Sequence, residues 1–231
     1  MDMRHEVHPY VDDLFGDPPV RWATRGEFSA VGAPLPAGWR GATRGAWVDR
    51  RPDGVELPHQ GWKIHVSAYT DNAEHVLAVV TGYCFFHRVT FTFLRSPALL
   101  ETQKPRYASR GAGGTFMTLY PVDEPALEQC LDSLDALLSG QPGPPVVNDL
   151  RWRSGPLYVR YGAFPEPEQH CRPETDEPLL GPRRTYGALR PDVRRAAFGV
   201  PDGATVPAVL AEALADRDTA GRRTARRLDP W

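Results

Sequence analysis

Glycine and proline are the residues that most restrict how this chain can fold. The 231 residues include 21 glycines and 24 prolines, together about a fifth of the chain. Both residue types interrupt regular structure, so helices and strands must be short and joined by many turns. The chain is long enough to bury a core without disulfides, and its 41% hydrophobic content is ordinary for a globular protein. We therefore expect one elaborated domain and exclude collagen-like, coiled-coil and wholly disordered chains.

The charge balance argues against nucleic acid and membranes as partners. The net charge is −2 and the pI is about 6.4, so the chain lacks the basic surface of a nucleic-acid-binding protein. No segment approaches the roughly 18 apolar residues that a membrane span needs. The polar, acidic start of the chain does not resemble a signal peptide. We expect a cytoplasmic protein.

The cysteines and histidines do not have the spacing of metal ligands. Cys84, Cys130 and Cys171 are far apart and form no CxxC pair, and the seven histidines include no HExxH motif. We expect buried thiols, no disulfide framework and no metal.

Two periodicities predict the regular elements. Strands are predicted where apolar and polar residues alternate, over 61–68, 89–94, 115–120 and 157–162. Apolar residues spaced three and four apart predict amphipathic helices over 71–86 and 123–138. Asp71 with Glu74 has the pattern of a capping box for the first helix, and Asp123 is a candidate N-cap of the second.

The order of these elements predicts an α+β domain, with a small mixed β-sheet and two main packed helices, over residues 61–200. Residues 1–60 place single aromatic residues between proline and glycine turns, which predicts an irregular N-terminal arm packed on the domain. Residues 201–231 predict a short helix, around 206–215, and a basic C-terminal tail.

The first predicted strand carries the sharpest candidate for chemistry. Its alternation puts Lys63 and His65 on one face, a cation beside a side chain that exchanges protons near neutral pH. Only Lys63 and Lys104 among the 27 basic residues are lysines, so each is a candidate for a specific role. For the Lys63 and His65 pair taken alone, a solvated polar strand face is the alternative.

Two arginines are further candidates. Arg110 begins a glycine-rich loop whose backbone N–H groups could hold a phosphate, although the loop has neither P-loop nor Rossmann spacing. A tight hairpin connection is the alternative for this loop. Arg160 lies between Tyr158 and Tyr161, an arrangement that is also typical of an edge-strand cation stacked on aromatic rings.

Taken in order, several short blocks of the sequence resemble the N-terminal lyase region of class III lanthipeptide synthetases and, through it, the phosphothreonine lyases. The blocks are Pro34–Trp39, Trp62–Ser67, Phe93–Ser96, Tyr107–Gly111, Leu119–Pro121, Asn148–Trp152 and Gly155–Phe164. The resemblance extends to about Val200. No block resembles the kinase or cyclase regions of those synthetases, so we expect a stand-alone protein with a phosphothreonine-lyase-like fold.

The resemblance implies a cofactor-free β-elimination. Phosphate would leave a phosphoserine or phosphothreonine of a precursor peptide, giving dehydroalanine or dehydrobutyrine. By position in the matched blocks, His65 would be the general acid and Lys63 would lie beside it and the phosphate. Arg110 and Arg160 would bind the phosphate, and Tyr120 would close the pocket.

Two positions depart from the family pattern. The lysine expected to act as base is replaced by Thr92, and a second family lysine is replaced by Thr115. A threonine hydroxyl cannot act as a base at neutral pH unless another group activates it. Lys63 or Lys104 could take over the proton abstraction.

Two functions therefore stay open. The first is a stand-alone carbon–oxygen lyase that acts on a phosphorylated precursor peptide, with a separate Ser/Thr kinase and a cyclase as further partners. The alternative is a catalytically impaired pseudo-lyase that binds the phosphorylated precursor or its leader peptide as a maturation partner. Lys63, His65 and the arginines favour catalysis, whereas Thr92 and Thr115 favour binding.

Overall fold

A computed structural model describes residues 26–102, 113–146, 148–165, 200 and 204–215. Its strands are β1 (Trp39–Arg44), β2 (Trp47–Pro52), β3 (Gln60–Val66), β4 (Thr90–Leu94), β5 (Met117–Tyr120), β6 (Leu150–Trp152) and β7 (Leu157–Ala163). Its helices are α1 (Ala73–His87), α2 (Pro97–Thr102), α3 (Glu124–Leu137) and α4 (208–215).

The seven strands form one sheet in the order β1-β2-β4-β5-β3-β7-β6, and every pairing between them is antiparallel. This arrangement confirms the α+β class. The sheet is larger than the small mixed sheet that was predicted, and it is not mixed. β3 and β4, the strands that α1 joins, run in the same direction, but β5 lies between them and is antiparallel to both.

All four predicted strands lie in this sheet, as β3, β4, β5 and β7, and both predicted helices form, as α1 and α3. One face of each helix is buried in a core that it shares with the apolar face of the sheet. Val76 and Val80 of α1 and Leu127 and Leu134 of α3 are buried in this core. The apolar stripes therefore cover the sheet, as amphipathic helices must.

The prediction of an irregular arm over residues 1–60 is wrong for its second half. Residues 39–52 form the hairpin of β1 and β2, and β2 pairs with β4. The sequence of β1 has no apolar alternation that would predict a strand, because β1 lies at the sheet edge and buries little of either face. Residues 1–25 lie outside the described part of the chain.

The two helix starts differ in how well local sequence predicted them. Asp123 caps α3 as expected, with its carboxylate accepting a hydrogen bond of 2.8 Å from the Ala126 N–H. The N-cap of α1 is Asn72 rather than Asp71, and the carboxylate of Glu74 accepts hydrogen bonds from Ser29 instead. A contact with a distant residue has replaced the predicted capping box.

Among the described residues, no helix combines the length and the apolar character that crossing a membrane would need. Cys84 and Cys130 are buried free thiols on α1 and α3, and Cys171 lies outside the described residues. Burial raises the pKa of Cys130 to about 11.

Candidate functional site

The sheet has one apolar face and one polar face. Ile64, Phe91 and Leu119 belong to the apolar face, which packs against the helices. On each strand the residues next to these three point to the opposite, polar face, because side chains alternate along a strand. The sheet register aligns them in rows across several strands, and one row reads Asp49, Thr92, Thr118, His65, Tyr158 and Arg151.

The polar face is itself largely shielded from solvent. Lys63, His65, Thr92 and Thr118 are each less than 9% exposed. Polar groups at that depth are costly unless they find partners, so their side chains must either bond to one another or receive a ligand. A solvated strand face, the alternative considered for Lys63 and His65, does not describe this surface.

A carboxylate organises one side of the polar face. Asp149 immediately precedes β6, and its side chain is 1% exposed. One of its oxygens lies 2.5 Å from His65 Nδ1, and the other lies 2.6 Å from Arg160 Nε. Lys63 on β3 is the Cα partner of Arg160 on β7, so it completes the group. Lys63, His65, Asp149 and Arg160 are called the charged half below.

The partner of His65 determines which ring nitrogen is available. A carboxylate only accepts hydrogen bonds, so the neutral ring must carry its hydrogen on Nδ1 and donate it to Asp149. The lone pair then resides on Nε2. Asp149 therefore orients His65 with Nε2 as the atom that exchanges protons.

Burial is the largest influence on His65, and it lowers the pKa of the ring from the ordinary value of 6.5. The hydrogen bond and the negative charge of Asp149 raise the pKa, whereas the positive charges of Lys63 and Arg160 lower it further. The net direction is downward. Without a ligand, His65 is a neutral imidazole at neutral pH.

The other side of the polar face is built from hydroxyl groups. Thr92 Oγ1 lies 3.4 Å from Tyr120 Oη, and Thr118 is the Cα partner of both Thr92 and His65. Thr92, Thr118 and Tyr120 are called the hydroxyl half below. Burial raises the pKa of Tyr120, so its phenol stays protonated at neutral pH. The three hydroxyl groups therefore supply no base.

The predicted site residues fall into two groups. The structure brings together Lys63, His65 and Arg160 in the charged half, and it places Tyr120 and Thr92 in the adjoining hydroxyl half. Ile64 is the Cα partner of Leu119. Lys63 directly precedes Ile64 and Tyr120 directly follows Leu119, so the two halves adjoin at Lys63 and Tyr120. Thr115 is half-buried just before β5. Arg110 and Lys104 lie outside the described residues.

Sequence reasoning missed Asp149 as a site residue. It lies within the Asn148–Trp152 block that carries part of the family resemblance, but neither periodicity nor spacing links it to His65, 84 positions earlier. An acidic residue inside a matched block was the available signal. In the parts of the chain that the structure describes, no three histidine, cysteine or acidic side chains gather as a metal-binding cluster.

A model of the family described as RamC, N-terminal domain, matches residues 27–220. The chain is 38% identical over 211 residues to a probable SapB synthase of Streptomyces coelicolor. The alignment covers 89% of this chain but 22% of that relative, so the chain spans about a fifth of its length. These matches confirm the resemblance to a lanthipeptide lyase-like domain that the sequence blocks predict.

Solved phosphothreonine lyases also align with the fold. The type III effector and phosphothreonine lyase OspF of Shigella flexneri aligns with a TM-score of 0.43 and 16% identity, over 55% of this chain and 71% of that one. The phosphothreonine lyase effector VirA (SpvC) of Chromobacterium violaceum aligns with a TM-score of 0.43 and 20% identity, over 57% and 68% of the two chains.

Proposed function

We propose, from the premise that this chain belongs to the RamC N-terminal domain family, that its lyase-like domain eliminates phosphate from phosphoserine or phosphothreonine in a precursor peptide. The products would be dehydroalanine or dehydrobutyrine. The partners of this reaction are the phosphorylated precursor peptide and the Ser/Thr kinase that phosphorylates it, with a cyclase acting on the product.

The observation that carries the proposal is the charged half. It combines two cations, Lys63 and Arg160, with a histidine whose tautomer is fixed by Asp149. With His65 neutral, these four groups carry one excess positive charge, which suits a phosphate. A guanidinium bound through Nε keeps its two terminal nitrogens for paired hydrogen bonds to phosphate oxygens.

Each step of the elimination requires a particular group. A base removes the proton from Cα, and the electrons of that C–H bond form the Cα=Cβ double bond. The Cβ–O bond breaks, and its electrons leave with the phosphate. His65 donates a proton from Nε2 to that oxygen, while the guanidinium of Arg160 neutralises the phosphate.

We assign the removal of the Cα proton to Lys63. It lies beside the hydroxyl half, where, by the family resemblance, Thr92 occupies the position of the base lysine. Of the two lysines in the chain, Lys63 is the one that lies within the described residues. For this role its ammonium, one of the two cations of the empty site, must first release its proton to solvent, so that Arg160 remains the cation on the phosphate. Proton abstraction by a group other than the usual base predicts a slow reaction.

One observation favours a second function, binding without turnover. The hydroxyl half holds Thr92 against the neutral phenol of Tyr120, so neither group activates the other as a base. A site that kept the charged half but lost the base would still capture a phosphorylated peptide. The pseudo-lyase would then serve as a maturation partner that presents or protects its precursor.

Mass spectrometry of a phosphoserine peptide incubated with the protein separates these functions. Elimination removes phosphoric acid and leaves dehydroalanine, whereas hydrolysis leaves serine. We expect slow elimination by the wild type and none by Lys63→Ala, because the substitution removes the assigned base.

The exposed His75→Gln variant is the matched control, since His75 lies on α1, against the opposite face of the sheet. Elimination that survives in Lys63→Ala would reject Lys63 as the base. Tight binding of the phosphopeptide with no dehydroalanine, by wild type and control alike, would support the pseudo-lyase instead.

A further inference from the structure

Asp149 is a buried carboxylate that takes no direct part in the proposed elimination. Its two oxygens contact different functional groups, His65 Nδ1 at 2.5 Å and Arg160 Nε at 2.6 Å. One side chain therefore joins the proposed proton donor to the proposed phosphate-binding group.

The proposed acid role raises a problem of proton supply. His65 must carry a second proton, on Nε2, when the phosphate leaves. Burial and the charges of Lys63 and Arg160 oppose that proton, so the unliganded ring is neutral at neutral pH. His65 therefore has to acquire the Nε2 proton after the substrate binds.

The charged and titratable groups that face His65 come from every strand packed around it. Lys63 lies on its own strand, Tyr158 and Arg160 on β7, and Tyr120 on β5. Asp149 approaches from the start of β6, and Arg151 of β6 lies in the same row. Lys63 and Arg160 are the members of this set whose charge disfavours a protonated ring, and they are also the proposed phosphate-binding groups.

We propose that Asp149 is a positioning residue that couples phosphate binding to protonation of His65. The inference rests on the phosphate site of the proposed function. A phosphate dianion between Lys63 and Arg160 would offset the positive charges that oppose a proton on His65. Asp149, already bound to Nδ1, then stabilises the imidazolium. The proton comes from solvent, binds Nε2, and passes to the leaving oxygen during elimination.

The coupling has a purpose in the reaction. A histidine that was permanently protonated would add a third cation beside Lys63 and Arg160 in the empty site. Protonation on binding supplies the acid only when an anion is present to accept its charge. The same linkage predicts tighter anion binding as the pH falls, since His65 then gains its proton more readily.

Isothermal titration calorimetry with inorganic sulfate tests this coupling without requiring catalysis. Sulfate stays a dianion across the neutral range, so any proton taken up must bind the protein. Repeating the titration in buffers of different ionisation enthalpy gives the number of protons exchanged per bound ion. At pH 7 to 8 we expect uptake approaching about one proton per sulfate by the wild type.

Three variants identify the proton's destination. His65→Gln should bind sulfate with almost no proton uptake, and Asp149→Asn should take up much less than the wild type because the imidazolium loses its counter-charge. His75→Gln, in which an exposed histidine of α1 is changed, should match the wild type. Circular dichroism confirms that each variant is folded. NMR titration of the histidine resonances of the wild type, with and without sulfate, measures the same coupling directly.

The outcomes distinguish this inference from the proposed function. Sulfate binding without proton uptake, or equal uptake by His65→Gln, would overturn the coupling and leave the elimination untouched. Proton uptake in a protein that never forms dehydroalanine would retain the coupling and reject the lyase activity. Failure of the wild type to bind sulfate or phosphoserine would overturn the phosphate site, and the coupling with it.

Discussion

The charged half and the hydroxyl half lie side by side on one sheet face, yet they differ in what they can do chemically. In the charged half a buried carboxylate holds a histidine and an arginine beside a lysine. In the hydroxyl half, Thr92 and Thr118 surround a protonated phenol. The first half can bind an anion and move a proton, whereas the second can only exchange neutral hydrogen bonds. The proposed elimination therefore depends on whether the charged half can also supply the base.

The largest expected effect comes from placing a lysine, and so a base, in the hydroxyl half. If Lys63 is a poor substitute base, Thr92→Lys should raise the elimination rate by about 10²–10⁴-fold, since that is the usual contribution of a positioned general base. Dehydroalanine formation followed by mass spectrometry measures the change. Thr90→Lys is the matched control, because Thr90 is buried on the same face of β4.

A wild type that is already fast, and gains nothing from Thr92→Lys, would mean that the charged half is catalytically complete. An equal gain from Thr90→Lys would mean that any added cation helps, and not a base at position 92.

The next effect concerns how strongly the charged half depends on its carboxylate. Asp149→Ala leaves the half-buried Arg160 guanidinium without its ion-pair partner and the buried His65 N–H without its acceptor, and should lower the free energy of unfolding by about 3–5 kcal/mol. Urea denaturation measures the loss. Asp132→Ala breaks an exposed ion pair with Arg153 and should cost at most about 1 kcal/mol. Similar losses in the two variants would contradict the central role of Asp149.

A smaller effect is the pH dependence of folding stability that His65 gives to the charged half. Folding lowers the pKa of His65, so below the ordinary value of 6.5 the unfolded chain binds more protons than the folded chain. The stability that this group contributes is present above pH 6.5 and is lost as the pH falls towards the folded pKa. The loss is at most about 1.4 kcal/mol per pH unit.

Denaturation midpoints of the wild type and His65→Gln between pH 5 and 8 measure this contribution. The wild type should lose more stability than the variant as the pH falls. A steeper loss in His65→Gln would show that the sign of the His65 contribution is wrong.

The smallest effect belongs to the hydroxyl half. Tyr120→Phe removes one long, neutral hydrogen bond to Thr92 and keeps the ring against Phe164, so it should cost about 0.5–1.5 kcal/mol. Urea denaturation beside Asp149→Ala tests the ranking. A loss as large as that of Asp149→Ala would mean that the hydroxyl half holds a network stronger than this single contact.

Most of the central fold could be predicted from local patterns, and its edges could not. The alternation of Trp62, Ile64 and Val66 depends only on neighbouring residues, and it identified β3 correctly. β1 and β2 lacked such a signal, because the pairing of β2 with β4, which brings this hairpin into the sheet, is decided by contacts between distant segments. The N-cap of α1 was missed for a related reason, since Ser29, 45 positions away, binds the Glu74 that the capping box required.

By itself, the sequence determined the strands β3, β4, β5 and β7, the helices α1 and α3, and that Lys63 and His65 share a face, because those properties follow from periodicity along a few residues. It also identified the threonine at position 92, through the family pattern. Only the tertiary structure decided that β3 lies between β5 and β7, which places Arg160 opposite Lys63. It alone brought Asp149 to His65, because burial of one carboxylate against two partners is a property of the assembled sheet.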